Sequence, residues 1–230
     1  MKAKKASPPA RPAPSTTRPI PTASWAAASS RARPLSPDPH DNAHALGVRA
    51  CLPDDMLYLR DAFPRERWTG ALPETAAFWL QMHTGFRAQQ VQMANAATRW
   101  RSGALDPRGL HAALMPTLQA FLQHLDGHHR IESGHYFPQF RLIEPRIQTG
   151  LDLLDRDHDA IHAHLDALYH SAVAFHQAVA GQSSDAPDHA HRLTDGLDRA
   201  APDLIRHLDD EEDIVIPLIA LKANLRAEGL

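Results

Sequence analysis

Apolar residues recur every three or four positions along most of the chain beyond residue 72, and this spacing predicts amphipathic α-helices. Four such stretches can be drawn, over residues 73–101, 107–134, 150–180 and 188–225. No stretch alternates apolar and polar residues with a period of two, so β-strands are not expected. The pattern therefore predicts an all-α fold.

Glycine and proline residues mark the connections between the four stretches. Gly103 and Pro107 separate the first two, Pro138 and Pro145 lie between the second and the third, and residues 181–187 separate the last two. Connections this short favour antiparallel neighbours. We therefore expect an up-down-up-down antiparallel four-helix bundle.

Two further prolines, Pro202 and Pro217, fall inside the fourth stretch. Proline has no backbone N–H and its ring crowds the preceding turn of a helix. We therefore expect each of them to kink the fourth helix or to end it locally.

The first 40 residues differ in composition from the rest of the chain. They contain nine of the 19 prolines and seven Lys or Arg, and the first acidic residue is Asp38. Such a segment buries too little apolar surface to offset its ordering entropy, which predicts a disordered tail, with an organelle transit peptide as the alternative. Residues 41–72 are expected to form a transition that packs on the helical domain of residues 73–230 through Leu57, Leu59, Phe63 and Trp68.

Overall composition excludes several classes of protein. The formal net charge is −3, so no global charge favours nucleic acid or an anionic membrane as a partner. Neither a run of 18 apolar residues nor a secretory signal pattern is present, and we expect a cytoplasmic location. The single cysteine, Cys51, excludes an internal disulfide framework and a cysteine-ligated cluster held by this chain alone.

Histidine is abundant, with 16 residues, and several histidines lie on the apolar stripes of the predicted helices. Buried imidazoles and carboxylates are costly unless they have partners. A pair of divalent cations in the bundle interior would remove that cost, because it would bind nitrogen and oxygen atoms from all four helices. The candidate ligands are His83, His128, Glu132, His158, His162, His207 and Glu211.

Two of the candidate pairs share one spacing. His128 is followed by Glu132 after four residues and by Pro138 after ten, and His207 is followed by Glu211 and Pro217 in the same way. Residues four apart point to the same side of a helix, so each pair can bind a common site.

The same comparison prefers Glu211 to its neighbour Glu212. Glu212 is rotated by about 100° around the helix, so we expect it to face water or a group that surrounds the ligands. Imidazole-rich sites with carboxylate bridges suit iron, and zinc, manganese or cobalt are the alternatives.

Other histidines compete for the same positions. His124 precedes His128 by one turn, and His164 follows His162 closely. His135 could form a hydrogen bond near the site. His129 is adjacent to a candidate ligand and is expected to face elsewhere.

The segments G-H-H-R-I-E-S-G-H-Y-F-P and L-D-L-L-D-R-D-H-D-A-I-H resemble those of bacterial proteins with a hemerythrin-like (HHE) cation-binding domain. The resemblance extends over about residues 75–225. It implies a non-haem, oxo- or hydroxo-bridged centre of two Fe ions with an open position for O2. One ion would be held by His158, His162 and His207, the other by His83 and His128, and both would share Glu132 and Glu211.

The chain departs from oxygen-carrying hemerythrins at the last carboxylate, which there is usually an Asp five residues after the histidine. The resemblance therefore implies sensing, carriage or detoxification of O2, NO or peroxide rather than storage of O2 alone. An oxidoreductase at the same centre, served by an electron donor, and an iron store or iron-delivery partner are the alternatives. A metal-free bundle with a polar core is the simplest competing interpretation.

Overall fold

The structure, a computed structural model, describes residues 44–227, with side chains described as far as residue 222. The predicted disordered tail of residues 1–40 lies outside the described residues. All regular structure within the described range is helical, and no strand occurs in it. The prediction of an all-α fold is confirmed.

Six α-helices and several shorter helical turns follow one another along the described chain. The helices are α1 (Tyr58–Ala62), α2 (Glu74–Arg101), α3 (Pro107–Ile131), α4 (Phe137–Ile143), α5 (Gln148–Ala180) and α6 (Ala186–Ala227). The 3-10 turns are Asp54–Met56, Arg65–Thr69 and Pro145–Ile147, and a π-helical turn spans Glu132–Tyr136. The long helices match the predicted stretches to within two residues, except at the end of the second.

The second stretch does not stop near Gly134, as the sequence suggested. A π-helical turn follows α3 directly, with the Phe137 N–H bonded to the Glu132 carbonyl, and α4 then begins. Pro138 lies in the first turn of α4, directly after the π-helical turn. Proline here therefore begins a helix instead of separating two.

The two prolines of the fourth stretch do not end it, since α6 continues through both Pro202 and Pro217. Each proline removes one backbone hydrogen bond. Around Pro217 the flanking residues Ile216 and Leu218 are buried in the core, and their packing offsets the lost bond.

The four long helices pack around a common interior. Helix α2 packs against α3 and α6, and α5 packs against the same two helices. Their up-down-up-down order stays a prediction. Among the described helices, none combines the length and the apolar character needed to cross a bilayer.

The N-terminal segment, residues 44–72, packs against one end of these helices. Leu52, Leu57 and Leu59 are buried there in one cluster with Phe137 and Ile214. Phe63 and Trp68 are only partly buried. The limits of the domain proposed from sequence stay a prediction.

Candidate metal centre

Seven buried or nearly buried polar side chains from the four long helices and the π-helical turn converge in the bundle interior. Helix α2 supplies one, α3 supplies two, the π-helical turn supplies one, α5 supplies one and α6 supplies two. They are His83, His128, His129, Glu132, His158, His207 and Glu211.

Four of these side chains form the first group: His83, His128, Glu132 and Glu211. The Nε2 atoms of His83 and His128 are 3.1 Å apart. His128 Nε2 is 2.8 Å from Glu132 Oε1, and His83 Nε2 is 3.4 Å from Glu211 Oε1. One potential ligand atom from each residue lies within 4.8 Å of the others, so a single cation could contact all four.

Three histidines form the second group: His129, His158 and His207. The rings of His129 and His158 stack with centroids 4.1 Å apart, and the His207 ring meets that of His158 edge-on at 4.8 Å. One nitrogen from each lies within 4.8 Å of the other two. This spacing also suits a single cation.

The two glutamates lie between the groups. The second oxygen of Glu132, Oε2, is 3.5 Å from His158 Nε2, and Glu211 Oε2 is 3.2 Å from His207 Nε2. Each carboxylate therefore presents one oxygen to each group. This is the arrangement that a carboxylate bridge between two cations requires.

Several atoms at the centre of this cluster have no hydrogen-bond partner among the described residues. They are both oxygens of Glu132, Oε2 of Glu211, Nε2 of His158 and of His207, and both ring nitrogens of His129. Native proteins leave few buried polar atoms unsatisfied, because each costs about 1–3 kcal/mol. Nitrogen and carboxylate lone pairs aimed at common points are the donor set of a transition metal, so the residues fit a pair of divalent cations.

The second ring nitrogen of His83, Nδ1, faces away from the cluster and has its own hydrogen-bond partner. His83 Nδ1 lies 3.1 Å from Glu212 Oε1, and Glu212 in turn accepts hydrogen bonds from Arg87 and Arg65. The sequence predicted that Glu212 faces water or a group that surrounds the ligands. Glu212 is buried away from water, and it contacts both the surrounding Arg87 and the predicted ligand His83. Such contacts orient a metal-binding ring and fix its tautomer.

His158 and His207 are held in a similar way. The Ser133 hydroxyl donates to Asp155 Oδ1, and its oxygen lies 2.9 Å from His158 Nδ1. His207 Nδ1 lies 3.4 Å from Asp157 Oδ2. A neutral ring with its proton on Nδ1 satisfies the contact in each case and turns the lone pair of Nε2 toward the centre.

The two glutamates differ in their tendency to carry a negative charge. Burial raises the pKa of Glu132 well above its usual value, and the neighbouring charge of Glu211 raises it further. Burial also opposes ionisation of Glu211, but His83 and His207 outweigh it and hold the pKa of Glu211 well below the usual value. Two facing carboxylates therefore resist sharing two negative charges unless cations lie between them.

The environments of the histidines shift their pKa values in different directions. Burial lowers the pKa of His128 to about 4, and it lowers the pKa values of His129 and His158 well below the usual value. Burial acts the same way on His207, but Asp157 and Glu211 overcome it and raise its pKa to about 9. Three of the imidazoles are thus neutral at pH 7, the form that binds a metal.

The structure brings together six of the seven side chains predicted as ligands: His83, His128, Glu132, His158, His207 and Glu211. The seventh, His162, lies beside the cluster with 30% of its side chain exposed, and its Nδ1 is 3.4 Å from Asp126 Oδ1. His129 occupies the place next to His158 and His207. The expectation that His129 faces elsewhere was wrong, because its side chain is buried in the cluster.

A signal for His129 is present in the chain. Steps of four and three residues lead from Leu118 through Leu122 and Leu125 to His129 and Glu132, and all five are buried. The apolar stripe of α3 therefore continues into His129. The sequence-based expectation assumed that two adjacent residues cannot face the same side of a helix. The buried stripe of α3 is wide enough to include both His128 and His129.

The remaining competing histidines lie outside the cluster. His124 is exposed, His135 is exposed and contacts the Gln139 amide, and His164 lies 2.9 Å from Asp203 Oδ2. None of these three belongs to either group of potential ligands.

Comparison with known proteins places this cluster in a family. No solved structure matches the chain. A curated relative, an uncharacterized protein of Haemophilus influenzae, is 27% identical over 100 residues, which is 41% of this chain and 56% of the relative, so the match spans about half of the relative's length. The profile of the hemerythrin HHE cation binding domain matches residues 75–219, which include all seven side chains of the cluster. The chain therefore belongs to the hemerythrin HHE cation-binding family.

Proposed function

We propose that this protein is a non-haem di-iron protein that binds O2, NO or peroxide for sensing, carriage or detoxification. The observation that supports the proposal is the pair of histidine groups joined by two carboxylates, each with one oxygen toward each group. The unsatisfied nitrogen and oxygen atoms at the centre of the cluster add to this support.

In the proposed centre, His83 and His128 would hold one iron, His129, His158 and His207 would hold the other, and Glu132 and Glu211 would contact both. Iron, when bound, supplies an exchangeable position and the electrons for binding a small oxygen- or nitrogen-containing ligand. The first group offers two histidines and the second offers three, so the small ligand would bind on the side of His83 and His128.

The chain supplies a dry environment on that side. The rings of Phe86 and Trp79 lie 5.1 Å and 6.1 Å from the ring of His128, measured between centroids. A mainly apolar cavity of about 50 Å³ also lies between the long helices, but its lining contains none of the seven side chains of the cluster. The aromatic rings beside His128, and not this cavity, therefore border the proposed ligand position.

Metal analysis and absorption spectra of protein purified without an affinity tag test the proposal. We expect two iron ions per chain and ligand-to-metal charge-transfer bands in the aerobic protein, which change when NO or peroxide is added. Protein that takes up no iron would contradict the proposal. Sustained turnover of peroxide with a reductant, lost in His128→Ala, would instead support the oxidoreductase alternative.

The choice between His129 and His162 is tested by a matched pair of variants. We expect His129→Ala to lose most of one iron per chain, because its ring contacts the other two histidines of the second group. His162→Ala should keep both irons, since its ring is partly exposed and paired with Asp126. The opposite pattern would make His162 the ligand, as the family resemblance implies.

A further inference from the structure

The N-terminal segment lies before the matched family domain, which begins at residue 75, and yet it reaches the contacts behind the proposed ligands. Arg49 of this segment is 7% exposed. It donates from Nη1 to Asp157 Oδ1 at 2.8 Å, from Nη2 to Asp157 Oδ2, and from Nε to Asp210 Oδ2 at 2.8 Å. A two-pronged contact of this kind fixes the direction of a carboxylate as well as neutralising it.

Asp157 connects this arginine to the centre. Its Oδ2 accepts from Arg49 and also lies 3.4 Å from His207 Nδ1. Within the described residues, the ion pair of Asp157 with a basic side chain of the arginine or lysine type is the one with Arg49. The path from the segment to the proposed ligand His207 therefore runs through a single carboxylate, that of Asp157.

A second arginine of the segment makes a parallel connection. Arg65 Nη1 donates to Glu212 Oε2 at 3.1 Å, and Glu212 Oε1 lies 3.1 Å from His83 Nδ1. Arg65 is more exposed than Arg49, and Arg87 of α2 holds the same carboxylate at 2.6 Å. The Arg65 connection is thus duplicated within the family domain, whereas that of Arg49 is not.

The backbone of the segment is shaped to deliver Arg49. The N–H groups of Val48 and Arg49 both bond to the Ala45 carbonyl, which closes a turn. Gly47 in this turn has φ of +84°, and a side-chain carbon there would lie 3.0 Å from Asp203 Oδ1. A left-handed residue pressed against a side chain requires glycine, so the turn is specific in sequence.

We propose that the N-terminal segment is a positioning element for the metal centre and that Arg49, acting through Asp157, sets the orientation of His207. The inference rests on the proposed function. Without the guanidinium, the buried carboxylate of Asp157 loses its arginine partner, whereas Asp210 keeps a longer contact of 3.7 Å with Arg206. A buried carboxylate that has lost its partner turns toward water or another donor. The His207 ring would then lose the contact that aims its Nε2 at the cation.

Iron binding by full-length Arg49→Gln, Arg49→Lys and Arg67→Gln tests this inference. Arg67 is a matched control, because it lies in the same segment and, within the described part of the chain, its guanidinium contacts the Ala62 carbonyl and the Phe63 ring. Competition with a chelator measures the affinity for iron, and melting temperatures are recorded with and without iron. We expect Arg49→Gln to bind iron about 10-fold to 100-fold more weakly, as for other contacts behind metal ligands, and Arg67→Gln to bind like the unmodified protein.

Arg49→Lys keeps the charge but cannot make the two-pronged contact, so we expect an intermediate loss of affinity for iron. If Arg49→Gln does not fold, Arg49→Lys replaces it in the test. A merely structural role would lower the melting temperature equally with and without iron and leave the affinity unchanged. That result in Arg49→Gln or Arg49→Lys would overturn the inference and leave the proposed function intact. Failure of the unmodified protein to bind iron would contradict both.

Discussion

At the scale of single residues, Glu211 is the most constrained group of the proposed centre. It is fully buried, its two oxygens face His83 and His207, and the Trp79 indole N–H donates to Oε1 at 2.5 Å. The indole therefore restricts how the carboxylate can rotate. Trp79 thus both packs in the core and orients a proposed bridge.

The Trp79→Phe variant isolates the second of these roles. It keeps an aromatic ring but removes the donor, so we expect the affinity for iron to fall by about tenfold, as for other groups that orient metal ligands. Chelator competition measures the change. Trp100→Phe is the control, because the Trp100 indole nitrogen has no hydrogen-bond partner among the described residues. If Trp79→Phe and Trp100→Phe bind iron with equal affinity, the Trp79 indole does not orient Glu211.

Much of the centre could be predicted at this scale from spacing alone. His128 with Glu132 and His207 with Glu211 are four apart, and this local rule places each pair on one side of a helix. The stripe of α3 indicates that His129 is buried, but it does not choose between His129 and His162, since that choice depends on how far α3 and α5 are rotated toward each other. That rotation is set by packing across the bundle.

At the scale of elements, the end of α5 contains a strained residue. Gln182 has φ of +54°, and it follows the helix where the Ser183 N–H bonds back to the Ala178 carbonyl. Glycine is the usual residue in this left-handed position, because other residues lose about 1 kcal/mol there. The chain therefore ends α5 at some cost in stability.

We expect Gln182→Gly to raise the free energy of unfolding by about 1 kcal/mol, as removal of left-handed strain does elsewhere. Urea denaturation measures it. Ser184→Gly, at an exposed neighbour without positive φ, should give no gain. An equal gain in both variants would show that flexibility of the connection, and not strain at residue 182, limits stability.

A second element-scale contact links the end of α4 to α6. Glu144 is buried and accepts hydrogen bonds from Arg146 and Lys222 at 3.0 Å and 3.1 Å. The Arg146 hydrogen bond and then that of Lys222 lower the pKa of Glu144 to about 2, against the opposing effect of burial. A carboxylate with a depressed pKa stabilises the fold above its unfolded pKa of about 4.3, and this stabilisation is lost as pH falls toward 2.

The Glu144→Gln variant tests this linkage. At pH 7 we expect the free energy of unfolding to fall by about 1 kcal/mol, a modest value because Arg146 is largely exposed. The difference from the unmodified protein should shrink as pH is lowered from 4 to 2. Unfolding curves in urea across this range measure it, and a difference independent of pH would assign the effect to packing.

At the scale of the whole molecule, the proposed centre joins all four long helices through side chains that share ions. Binding to the folded state alone stabilises a protein by about 4 kcal/mol when the free ligand exceeds its dissociation constant a thousandfold. We therefore expect removal of iron to lower the melting temperature, as measured by calorimetry. Identical melting with and without iron would contradict a centre in the bundle interior.

Contacts between residues far apart in the sequence were the part of the structure that the sequence predicted least well. The sequence indicated that Leu57 and Leu59 pack on the domain, and both are buried. It did not indicate that Arg49 reaches Asp157, 108 residues further along the chain. Local periodicity reports which side of a helix is buried but not which distant side chain meets it.

The position of Glu132 and Glu211 between the two histidine groups has a consequence for assembly. A first ion bound in either group would fix one oxygen of each carboxylate, and the other oxygen of each already points to the neighbouring position. An ion in one histidine group thus orders the carboxylate oxygens that the other group needs to bind a second ion. With iron in short supply, the population should divide into empty and doubly filled molecules, and chains carrying a single ion should be scarce.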